Sequence, residues 1–465
     1  MHDMLLRGGT VVDGSGSDAS VRDVAVDGGS IAEVGPELDP GGARHVIDAS
    51  GLYVIPGIVD PHVHVSGGFG ASPGFRMMVR GGVTAALDLA GDPPSIAQGL
   101  AASGCGMSVA TVYPIVPGDT VSGRDPSSRE IGDVLDAQLA SGAIGLKVLG
   151  GHYPLTPDAT RRVIEACAER GAYCAFHAGT TETGSDIRGV EEAVELAGDL
   201  PLHLAHVNSY CRGQIAEPVE EAARALRAVG AAPNVRSESY LATINGAVAT
   251  CRDGAPVSDV VKTCLRLGGY APTRAGLEDA IRGAWALVHE ERDGEVVLAE
   301  PDQGIELFQA RDTEIGVSFP VNPAASQLAL ALARRPGGGF VVDAFSSDGG
   351  SLPRNTTLRQ GVGLVQAGAL TLAELVEKGC TQPAAMLGLA RKARIAPSYD
   401  ADVVAVDGEG TTRLVLIGGR VVFAGGQFLA PYGGTLMCGP RGAPSLPSGV
   451  VRQRVPGSLG LAPRA

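Results

Sequence analysis

From residue 56 onward, short apolar runs alternate with longer stretches rich in Ala, Glu and Arg. This alternation limits the fold more than any other feature, because it is typical of repeated strand–helix units. Eight of the apolar runs are predicted to be strands, which is the number that a (β/α)8 barrel requires. They lie at residues 58–61, 83–89, 108–114, 143–149, 172–177, 202–206, 232–238 and 340–346. We therefore predict an α/β fold with a TIM barrel over residues 56–395.

Short strands also flank the barrel pattern at both ends of the chain. Strands separated by Gly, Asp and Ser turns are predicted before residue 56, and strands return at 401–406, 412–417 and 420–423. A single small β-sandwich domain, built from residues 1–55 and 396–430, is the most economical arrangement of these strands.

Two segments fit neither pattern. The stretch from about 240 to 320 is longer than a connection between a strand and a helix needs, so we predict an inserted helical lid or subdomain that carries the single tryptophan, Trp285. Residues 431–465 are rich in Pro, Gly and Arg. A flexible tail and a tail folded back over the mouth of the barrel both remain open for this last segment.

The charge and the cysteines exclude several classes of protein. The formal charge of −14, with no cluster of Lys or Arg, argues against partners such as nucleic acid or a membrane surface. The eight cysteines are scattered without a C-x-x-C motif, which argues against a disulfide framework or a thiolate zinc site. Neither a signal peptide nor an apolar run long enough to span a bilayer is evident. We expect a cytoplasmic protein that acts on a small molecule or peptide, and a homo-oligomer stays open.

Two histidines close the first predicted barrel strand, in the run Asp60-Pro61-His62-Val63-His64. Residues i and i+2 of an extended strand point to the same side, so His62 and His64 converge on one point. Two neutral imidazoles in this arrangement suit a divalent metal, although two surface histidines would show the same spacing.

Lys147 lies in the apolar run of the fourth predicted strand. Burial of an ammonium group is costly and lowers its pKa toward that of a neutral amine. A neutral amine can take up carbon dioxide and become a carbamate, an anion that could bridge two metals. The alternative is a lysine at a strand end that extends to solvent.

Three further candidates follow later predicted strands. His177 and His206 end the fifth and sixth strands, and Asp348 follows the eighth. His203 is three residues from His206, so we expect it to face the other side of the strand and to have a structural role. The carboxyl ends of the strands are where barrel enzymes place their active sites. The six candidates should therefore meet at one rim of the barrel: His62, His64, Lys147, His177, His206 and Asp348.

With these residues in place, the sequence resembles the amidohydrolase superfamily, in the branch with two bridged metal ions. The resemblance covers nearly the whole chain and includes the β domain built from both chain ends. Its motifs are Pro56-Gly57-Ile58-Val59-Asp60-Pro61-His62-Val63-His64, Thr381-Gln382-Pro383-Ala384-Ala385 and Asp400-Ala401-Asp402-Val403-Val404.

The resemblance implies a complete set of metal ligands and a mechanism. It implies two divalent ions, with zinc as the expected metal, bridged by Lys147 in its N6-carboxylated form. One ion would be held by His62, His64, Lys147 and Asp348, and the other by Lys147, His177 and His206. Two ions that share a water lower its pKa enough to supply hydroxide at neutral pH. Asp348 would take the proton from this nucleophile and pass it to the leaving nitrogen.

Within the superfamily, the local motifs are most similar to those of D-aminoacylases and isoaspartyl dipeptidases. The matching runs are His62-Val63-His64 before Gly67-Gly68, His206-Val207-Asn208, and Ser346-Ser347-Asp348-Gly349-Gly350-Ser351. Two departures concern the substrate. Isoaspartyl dipeptidases are expected to have an arginine where Ser209 stands, and a glutamate near Phe69-Gly70-Ala71, where this chain has none.

The residues expected to bind a free dipeptide are therefore missing, although Arg212 or Arg236 could supply a guanidinium in place of the arginine that is absent at Ser209. A structural ion pair between Arg236 and Glu238 is the competing interpretation. Tyr153 is a candidate for stabilising an oxyanion, and a loop tyrosine packed on the barrel is the alternative. The candidate substrate-binding residues are His152, Tyr153, Asn208, Arg212, Arg236 and Ser351.

The leading functional hypothesis is a metal-dependent hydrolase that cleaves a linear amide, such as an N-acyl amino acid (D-configured ones included), a peptide or a modified peptide. A cyclic amidase that acts on a hydantoin, dihydropyrimidine, dihydroorotate or lactam ring is the alternative within this class. A non-catalytic scaffold with the same fold is the alternative of another class, and the complete set of ligand types argues against it. A mononuclear deaminase would need no bridging lysine.

Overall fold

The computed structural model describes residues 1–66 and 72–461. Its amino-terminal part is a run of strands with turns between them, as predicted. The buried side chains of these strands pack with strands from the other end of the chain, described below. The strands are β1 (His2–Val11), β2 (Ser20–Asp27), β3 (Ser30–Gly35), β4 (Ala43–Asp48) and β5 (Tyr53–Pro56).

The next strands form the parallel wall of the barrel, each beside its neighbour in chain order. Helices cover the outside of this wall, so β7 is buried along its whole length and is mostly apolar, as is typical of such strands. The strands are β6 (Ile58–His64), β7 (Val83–Leu89), β8 (Ser108–Ile115), β9 (Gly145–Leu149), β10 (Tyr173–His177), β11 (Leu202–Leu204) and β12 (Val235–Tyr240). The helices are α1 (Ser72–Arg80), α2 (Pro93–Ser103), α3 (Ser128–Ser141), α4 (Pro157–Glu169), α5 (Ile187–Ala197) and α6 (Pro218–Ala231).

Local sequence explains where these helices begin and end. The Ser127 side chain accepts a hydrogen bond from the backbone N–H of Glu130 and caps α3. At the other end of α3, Gly142 has a φ of 117°, a left-handed conformation that favours glycine and ends the helix. Such caps return the chain to the sheet after each helix.

An insertion follows β12 and has its own core around Phe308 and Phe319. The sequence predicts a helical lid or subdomain here, and the structure adds a four-stranded sheet to its helices. The insertion contains β13 (Ala247–Val248), β14 (Cys251–Arg252), β15 (Ala255–Pro256), α7 (Asp259–Leu267), α8 (Arg274–Arg282), β16 (Leu287–Arg292), β17 (Glu295–Leu298), α9 (Pro301–Ala310) and β18 (Gly316–Ser318).

A single short segment then closes the barrel. After α10 (Ala324–Leu332), strand β19 (Ala344–Ser346) pairs with β12, and strand β20 (Gly349–Gly350) pairs with β6. The side chain of Asp60 on β6 accepts the backbone N–H of Ser347 at 3.1 Å and ties the two sides together. These pairings complete the TIM barrel that the sequence predicted.

The rest of the chain returns to the amino-terminal sheet. After α11 (Thr357–Gln366), α12 (Leu372–Val376) and α13 (Gln382–Met386), the chain forms β21 (Val403–Val406), β22 (Thr412–Ile417), β23 (Arg420–Ala424) and β24 (Gln427–Phe428). Strand β21 pairs antiparallel with β5, which joins the two ends of the chain in one nine-stranded sheet beside the barrel.

The last described segment forms two further strands, β25 (Gly434–Cys438) and β26 (Val450–Arg454). Strand β25 pairs with β8 from Thr435 opposite Ser108, the first residue of β8. This strand of the segment therefore lies at the amino-terminal end of the barrel rather than over its mouth. Within this segment, residues 434–438 and 450–454 are two strands paired with each other rather than parts of a loose tail.

Candidate active site and metal centre

One cavity of about 460 Å³ lies at the carboxyl ends of the barrel strands. Five of the barrel strands, β6, β7, β9, β10 and β12, contribute side chains to it, because parallel strands present their carboxyl ends at the same rim. All six predicted ligand residues line it: His62, His64, Lys147, His177, His206 and Asp348.

Asp348 is the point on which the two histidines of β6 converge. Its Oδ1 lies 3.2 Å from His62 Nε2 and 3.0 Å from His64 Nε2. Asp348 has a φ of 48°, between β19 and β20, so the closing segment turns here and directs the carboxylate into the cavity. The i and i+2 spacing of the histidines thus brings both rings to one carboxylate.

The rings of His177 and His206 complete the cluster. The His206 ring stacks on that of His62 at a centroid distance of 4.9 Å and meets the ring of His177 edge-on at 4.5 Å. His177 Nε2 lies 2.8 Å from Ser185 Oγ. A side chain at Gly151 would collide with the His177 ring, because a Cβ there would lie 2.0 Å from Nε2.

Lys147 is only 1% exposed, and its Nζ has no hydrogen-bond partner among the described residues. Burial lowers the pKa of this amine to about 8, although the charges of Glu238 and Asp348 oppose the shift. A lysine in this setting has a substantial neutral fraction near pH 8, which is the form that reacts with carbon dioxide.

The donor set fits a divalent cation. Ligand atoms of His62, His206 and Asp348 all lie within 4.8 Å of one another. Burial lowers the pKa of His62 to about 4, so its ring is neutral near pH 7, as a metal ligand must be. His62 Nδ1 lies 2.7 Å from a Glu238 oxygen, and His206 Nδ1 has no hydrogen-bond partner in the described part of the chain. If Glu238 accepts a hydrogen bond from the protonated Nδ1, the lone pair of His62 Nε2 faces Asp348 Oδ1 at 3.2 Å, an arrangement that a cation bound by both atoms would stabilise.

Arg354 holds the other oxygen of Asp348. Its guanidinium NH2 lies 2.7 Å from Asp348 Oδ2, and its Nε donates to the Asp348 carbonyl. Burial alone raises the pKa of Asp348, but Arg354 and the nearby histidines outweigh it and hold that pKa well below its usual range. The NH1 of Arg354 is buried without a partner among the described residues, in a side chain that lines the cavity.

Three of the six predicted substrate residues line the cavity: His152, Tyr153 and Arg212. Tyr153 is 50% exposed, which places it at the rim. Arg212 is held from three sides, since its Nε donates to Asn322 at 2.9 Å and its NH2 lies near the hydroxyls of Ser209 and Tyr240.

The other three predicted residues do not line the cavity: Asn208, Arg236 and Ser351. Asn208 is buried and accepts the backbone N–H of Tyr240. Arg236 donates to the carbonyl of Pro233, toward the amino-terminal end of its strand. Ser351 is buried and its backbone N–H donates to the carbonyl of His64. In the structure, none of these three side chains therefore lies at the cavity, and their contact with substrate stays a prediction.

The ring of His203 and the backbone N–H of His206 both contact Glu238, so the two residues do not lie on opposite sides of the strand. Strand β11 ends at Leu204, and His206 has a left-handed φ of 32°, so the alternation of side chains stops before His206. His203 Nε2 lies 3.7 Å from a Glu238 oxygen, and its Nδ1 lies 3.0 Å from the Tyr173 hydroxyl. The expected structural role fits these contacts, but the expected orientation does not.

The insertion supplies one wall of the cavity. Its residues 245–248 and the first turns of α7, including Ser258, Val260 and Thr263, line the space above the ligand cluster. The two glycines and the Phe69-Gly70-Ala71 run, on which the comparison with dipeptidases depends, lie at residues 67–71, outside the described residues.

Sequence reasoning missed Glu238 and Arg354 as parts of the site. Glu238 was considered only as an ion-pair partner of Arg236, although a glutamate inside the buried β12 was a signal. Arg354 follows Asp348 by six residues, and its place in the loop after β20 gave no pattern to recognise. Both are nearly fully buried, which the sequence alone does not reveal.

Comparison with proteins of known activity extends these observations. A search of protein-family models finds no match. The chain is 26% identical to the dihydroorotase of Pelotomaculum thermopropionicum over 438 residues, which covers 87% of this chain and 88% of that protein. It is 44% identical to the allantoinase of Rubrobacter xylanophilus, but over 92 residues, or 19% of each chain.

Solved structures share the fold at low sequence identity. A D-aminoacylase superposes with a TM-score of 0.66 at 19% identity and covers 93% of this chain and 99% of its own. An N-acyl-D-glutamate deacylase from Bordetella bronchiseptica, solved with zinc and a phosphonate inhibitor, has the same TM-score, and a D-hydantoinase has 0.61, both at 19% identity. They cover 93% of this chain and 98% of their own. These relatives and neighbours are hydrolases of the amidohydrolase superfamily and act on carbon–nitrogen bonds.

No helix in the described ranges, 1–66 and 72–461, is both long and apolar enough to cross a bilayer.

Proposed function

We propose that this member of the amidohydrolase superfamily is a metal-dependent hydrolase that cleaves the linear amide bond of a substrate with a carboxylate group, such as an N-acyl amino acid or a small peptide. The observation that carries the proposal is the cavity, which is lined by the six proposed metal ligands and by Arg354, a buried arginine whose NH1 has no hydrogen-bond partner among the described residues. The comparisons support the coarser statement, a metal-dependent amidohydrolase, without separating linear from cyclic substrates.

The proposed metal centre uses the six residues as the resemblance assigns them. His62, His64 and Asp348 would hold one ion, His177 and His206 the other, and Lys147 would bridge both as a carbamate. When bound, two divalent ions, zinc in the simplest case, polarise the substrate carbonyl and lower the pKa of a water molecule. The unpartnered Nζ of Lys147 and the clustered ligand atoms support this assignment.

Asp348 would act as the proton carrier. It lies against both histidines of β6 and inside the cavity, so it can take a proton from the attacking water and return it to the leaving nitrogen. Arg354 keeps this carboxylate ionised and fixes its orientation through two contacts. The proton that Asp348 receives is therefore held weakly and is easily passed on.

Arg354 is also the proposed anchor for the substrate carboxylate. A buried N–H without a hydrogen-bond acceptor is costly, and NH1 of Arg354 is such a donor among the described residues, because it has lost water without gaining a partner. A substrate carboxylate at NH1 would satisfy it with a charge-assisted hydrogen bond. Arg212, on the same cavity, adds positive charge, and its Nε and NH2 are already held by Asn322, Ser209 and Tyr240.

Tyr153 at the rim stays a proposal for oxyanion stabilisation. Its half-exposed position means that it would have to approach the scissile carbonyl when substrate binds. A Tyr153→Phe variant with kcat within a few-fold of wild type would remove it from the mechanism.

A cyclic amidase is the second candidate, because the sequence relatives that cover most of the chain are dihydroorotases. The two candidates differ in their products. A linear substrate releases an amine and a carboxylic acid, whereas a ring opens without loss of any fragment.

The test is hydrolysis of a matched panel by protein loaded with Zn²⁺, Mn²⁺ or Co²⁺. The panel contains N-acetyl and longer N-acyl amino acids of both configurations, dipeptides, hydantoins, dihydropyrimidines and dihydroorotate, followed by mass spectrometry. Release of free amino acid from the linear members supports the leading proposal, and ring opening alone supports the second. Protein purified without chelators that binds none of these metals would contradict both.

A further inference from the structure

Glu238 lies at the centre of the barrel, immediately below the proposed metal ligands. It stands on β12, and its side chain is completely buried. One of its oxygens lies 2.7 Å from His62 Nδ1 and accepts the backbone N–H of His206 at 2.6 Å. The other oxygen accepts the hydroxyl of Ser346. One carboxylate thus contacts His62 on β6, Ser346 on β19 and His206, two residues after the end of β11.

The contact with His62 determines which ring nitrogen faces the cavity. An ionised carboxylate has only acceptor sites, so the proton of the neutral imidazole must sit on Nδ1. The lone pair of Nε2 then points toward Asp348 Oδ1, 3.2 Å away. In the other tautomer, Nε2 would carry a hydrogen and could not bind a metal.

The contact with His206 acts on the backbone. His206 has a left-handed φ of 32°, which is uncommon for a residue with a side chain and needs support from its surroundings. The short hydrogen bond from its N–H to Glu238 supplies that support. Through this bond, the ring of His206 is placed against that of His62, at a centroid distance of 4.9 Å.

We infer that Glu238 is the positioning residue of the metal centre: it fixes the Nδ1–H tautomer of His62 and the backbone of His206, and so orients one ligand of each proposed metal ion. The inference rests on the proposed function, because it requires the cavity to bind metal. Partners that orient metal-binding histidines in this way change metal affinity by about 10- to 100-fold when they are removed.

The first test replaces Glu238 by Gln, which keeps the size of the side chain and removes its charge. We expect the Kd for Zn²⁺, measured by competition with a chelator, to rise by at least about tenfold. We also expect the visible spectrum of the Co²⁺-loaded protein to change, because the orientation of a ligand changes. If Glu238 had a purely structural role, its substitution would alter the unfolding midpoint but leave the Kd for Zn²⁺ and the Co²⁺ spectrum unchanged.

Glu221→Gln is the matched control. Glu221 is also fully buried and accepts backbone N–H groups of Gly213, Ile215 and Ala216, but it does not line the cavity. Its substitution should leave the Zn²⁺ affinity and the Co²⁺ spectrum unchanged. If Glu238→Gln matches the control in both measurements, the inference is overturned.

The second test needs no variant and therefore decides the case if Glu238→Gln fails to fold. In wild-type protein labelled with ¹⁵N at its histidine rings, the ring of His62 should show a protonated Nδ1 and an unprotonated Nε2. A proton on Nε2 of His62 would overturn the inference even if the protein binds metal. A wild-type protein that binds no Zn²⁺ or Co²⁺ would instead overturn the proposed function, and the tautomer could still be read.

Discussion

At the scale of single residues, Lys147 is the most informative position, because its amine is buried in the barrel and has no hydrogen-bond partner among the described residues. The chain has 37 Lys and Arg residues and only four of them are Lys, so the choice of lysine in β9 matters. Arginine keeps its proton in a protein and cannot form a carbamate. The burial that lowers the pKa of Lys147 to about 8 is what makes its amine available for this reaction.

We expect Lys147→Ala to lose bound metal and activity, because the bridging anion is removed. Small carboxylic acids should restore part of both by entering the space that the side chain vacates. Metal content by mass spectrometry, with and without added formate or acetate, checks this. Full metal content and activity in Lys147→Arg would contradict the carbamate.

Arg354 provides the second prediction at this scale. Arg354→Lys keeps the charge but loses the forked geometry that reaches both Asp348 and a substrate. Loss of one charge-assisted hydrogen bond, about 1.5–3 kcal/mol, should lower kcat/KM for a substrate with a free carboxylate by roughly 10- to 100-fold. The corresponding primary amide should be affected much less, so the ratio of the two kcat/KM values is the measurement.

Arg359→Lys is the control for this prediction, since Arg359 is exposed on α11 and does not line the cavity. It should leave both kcat/KM values unchanged. An equal loss for both substrates in Arg354→Lys would mean that Arg354 serves Asp348 alone.

The sequence predicted the candidate ligands but not the residues that hold them. His62, His64, His177 and Asp348 could be predicted because each ends or follows an apolar run, and the ends of parallel strands meet at one rim. Glu238 and Arg354 could not, because their roles depend on contacts between distant strands and loops. Arg236 is the opposite case, a candidate substrate-binding residue that does not line the cavity. It lies two residues from Glu238, but its guanidinium donates to the carbonyl of Pro233, toward the other end of the strand.

At the scale of elements, the insertion forms one wall of the cavity, and we expect it to limit which substrates can enter. Helix α7 begins at Asp259, and its first turns form the wall of the cavity opposite the ligand cluster. The length of the insertion could be predicted from the sequence. Its small sheet could not, because strands of two to six residues carry little periodicity.

We expect Thr263→Trp to narrow the cavity without affecting the metal centre. KM for a substrate with a long acyl chain should rise about tenfold or more, while KM for an acetyl substrate and the metal content stay the same. A set of N-acyl amino acids of increasing chain length checks this. Arg266→Trp, on the exposed side of α7, is the control and should change none of these values.

At the scale of the whole molecule, a second buried lysine affects stability rather than catalysis. Lys378 is fully buried, and its Nζ donates to the carbonyls of Ala331 and Val342 at 2.9 Å. Its Nζ also lies 4.3 Å from the centre of the Phe340 ring. Burial lowers its pKa from 10.5 to about 7.

This shift predicts a pH dependence of the free energy of unfolding. Between about pH 7 and pH 10.5, the unfolded chain holds a proton at Lys378 that the folded chain has released. The contribution of Lys378 to stability therefore rises with pH across this window, by at most about 1.4 kcal/mol per pH unit, and is lowest below pH 7. Lys378→Met should lose this slope, and its gain in the free energy of unfolding relative to wild type should be largest at pH 6.

Urea unfolding of both proteins at pH 6, 7.5 and 9 measures the difference. Parallel stability curves for wild type and Lys378→Met would show that the amine keeps its proton in the folded state.

The sheet built from both ends of the chain has a consequence for synthesis on the ribosome. Strand β5 ends at Pro56, and its partner β21 begins only at Val403. At roughly 5–20 residues per second, the early strands wait on the order of tens of seconds for that partner. During this interval, the apolar faces of these strands must be shielded from water by the nascent barrel or by chaperones. Slow codons between these two segments should therefore lower the yield of native protein more than slow codons after β24.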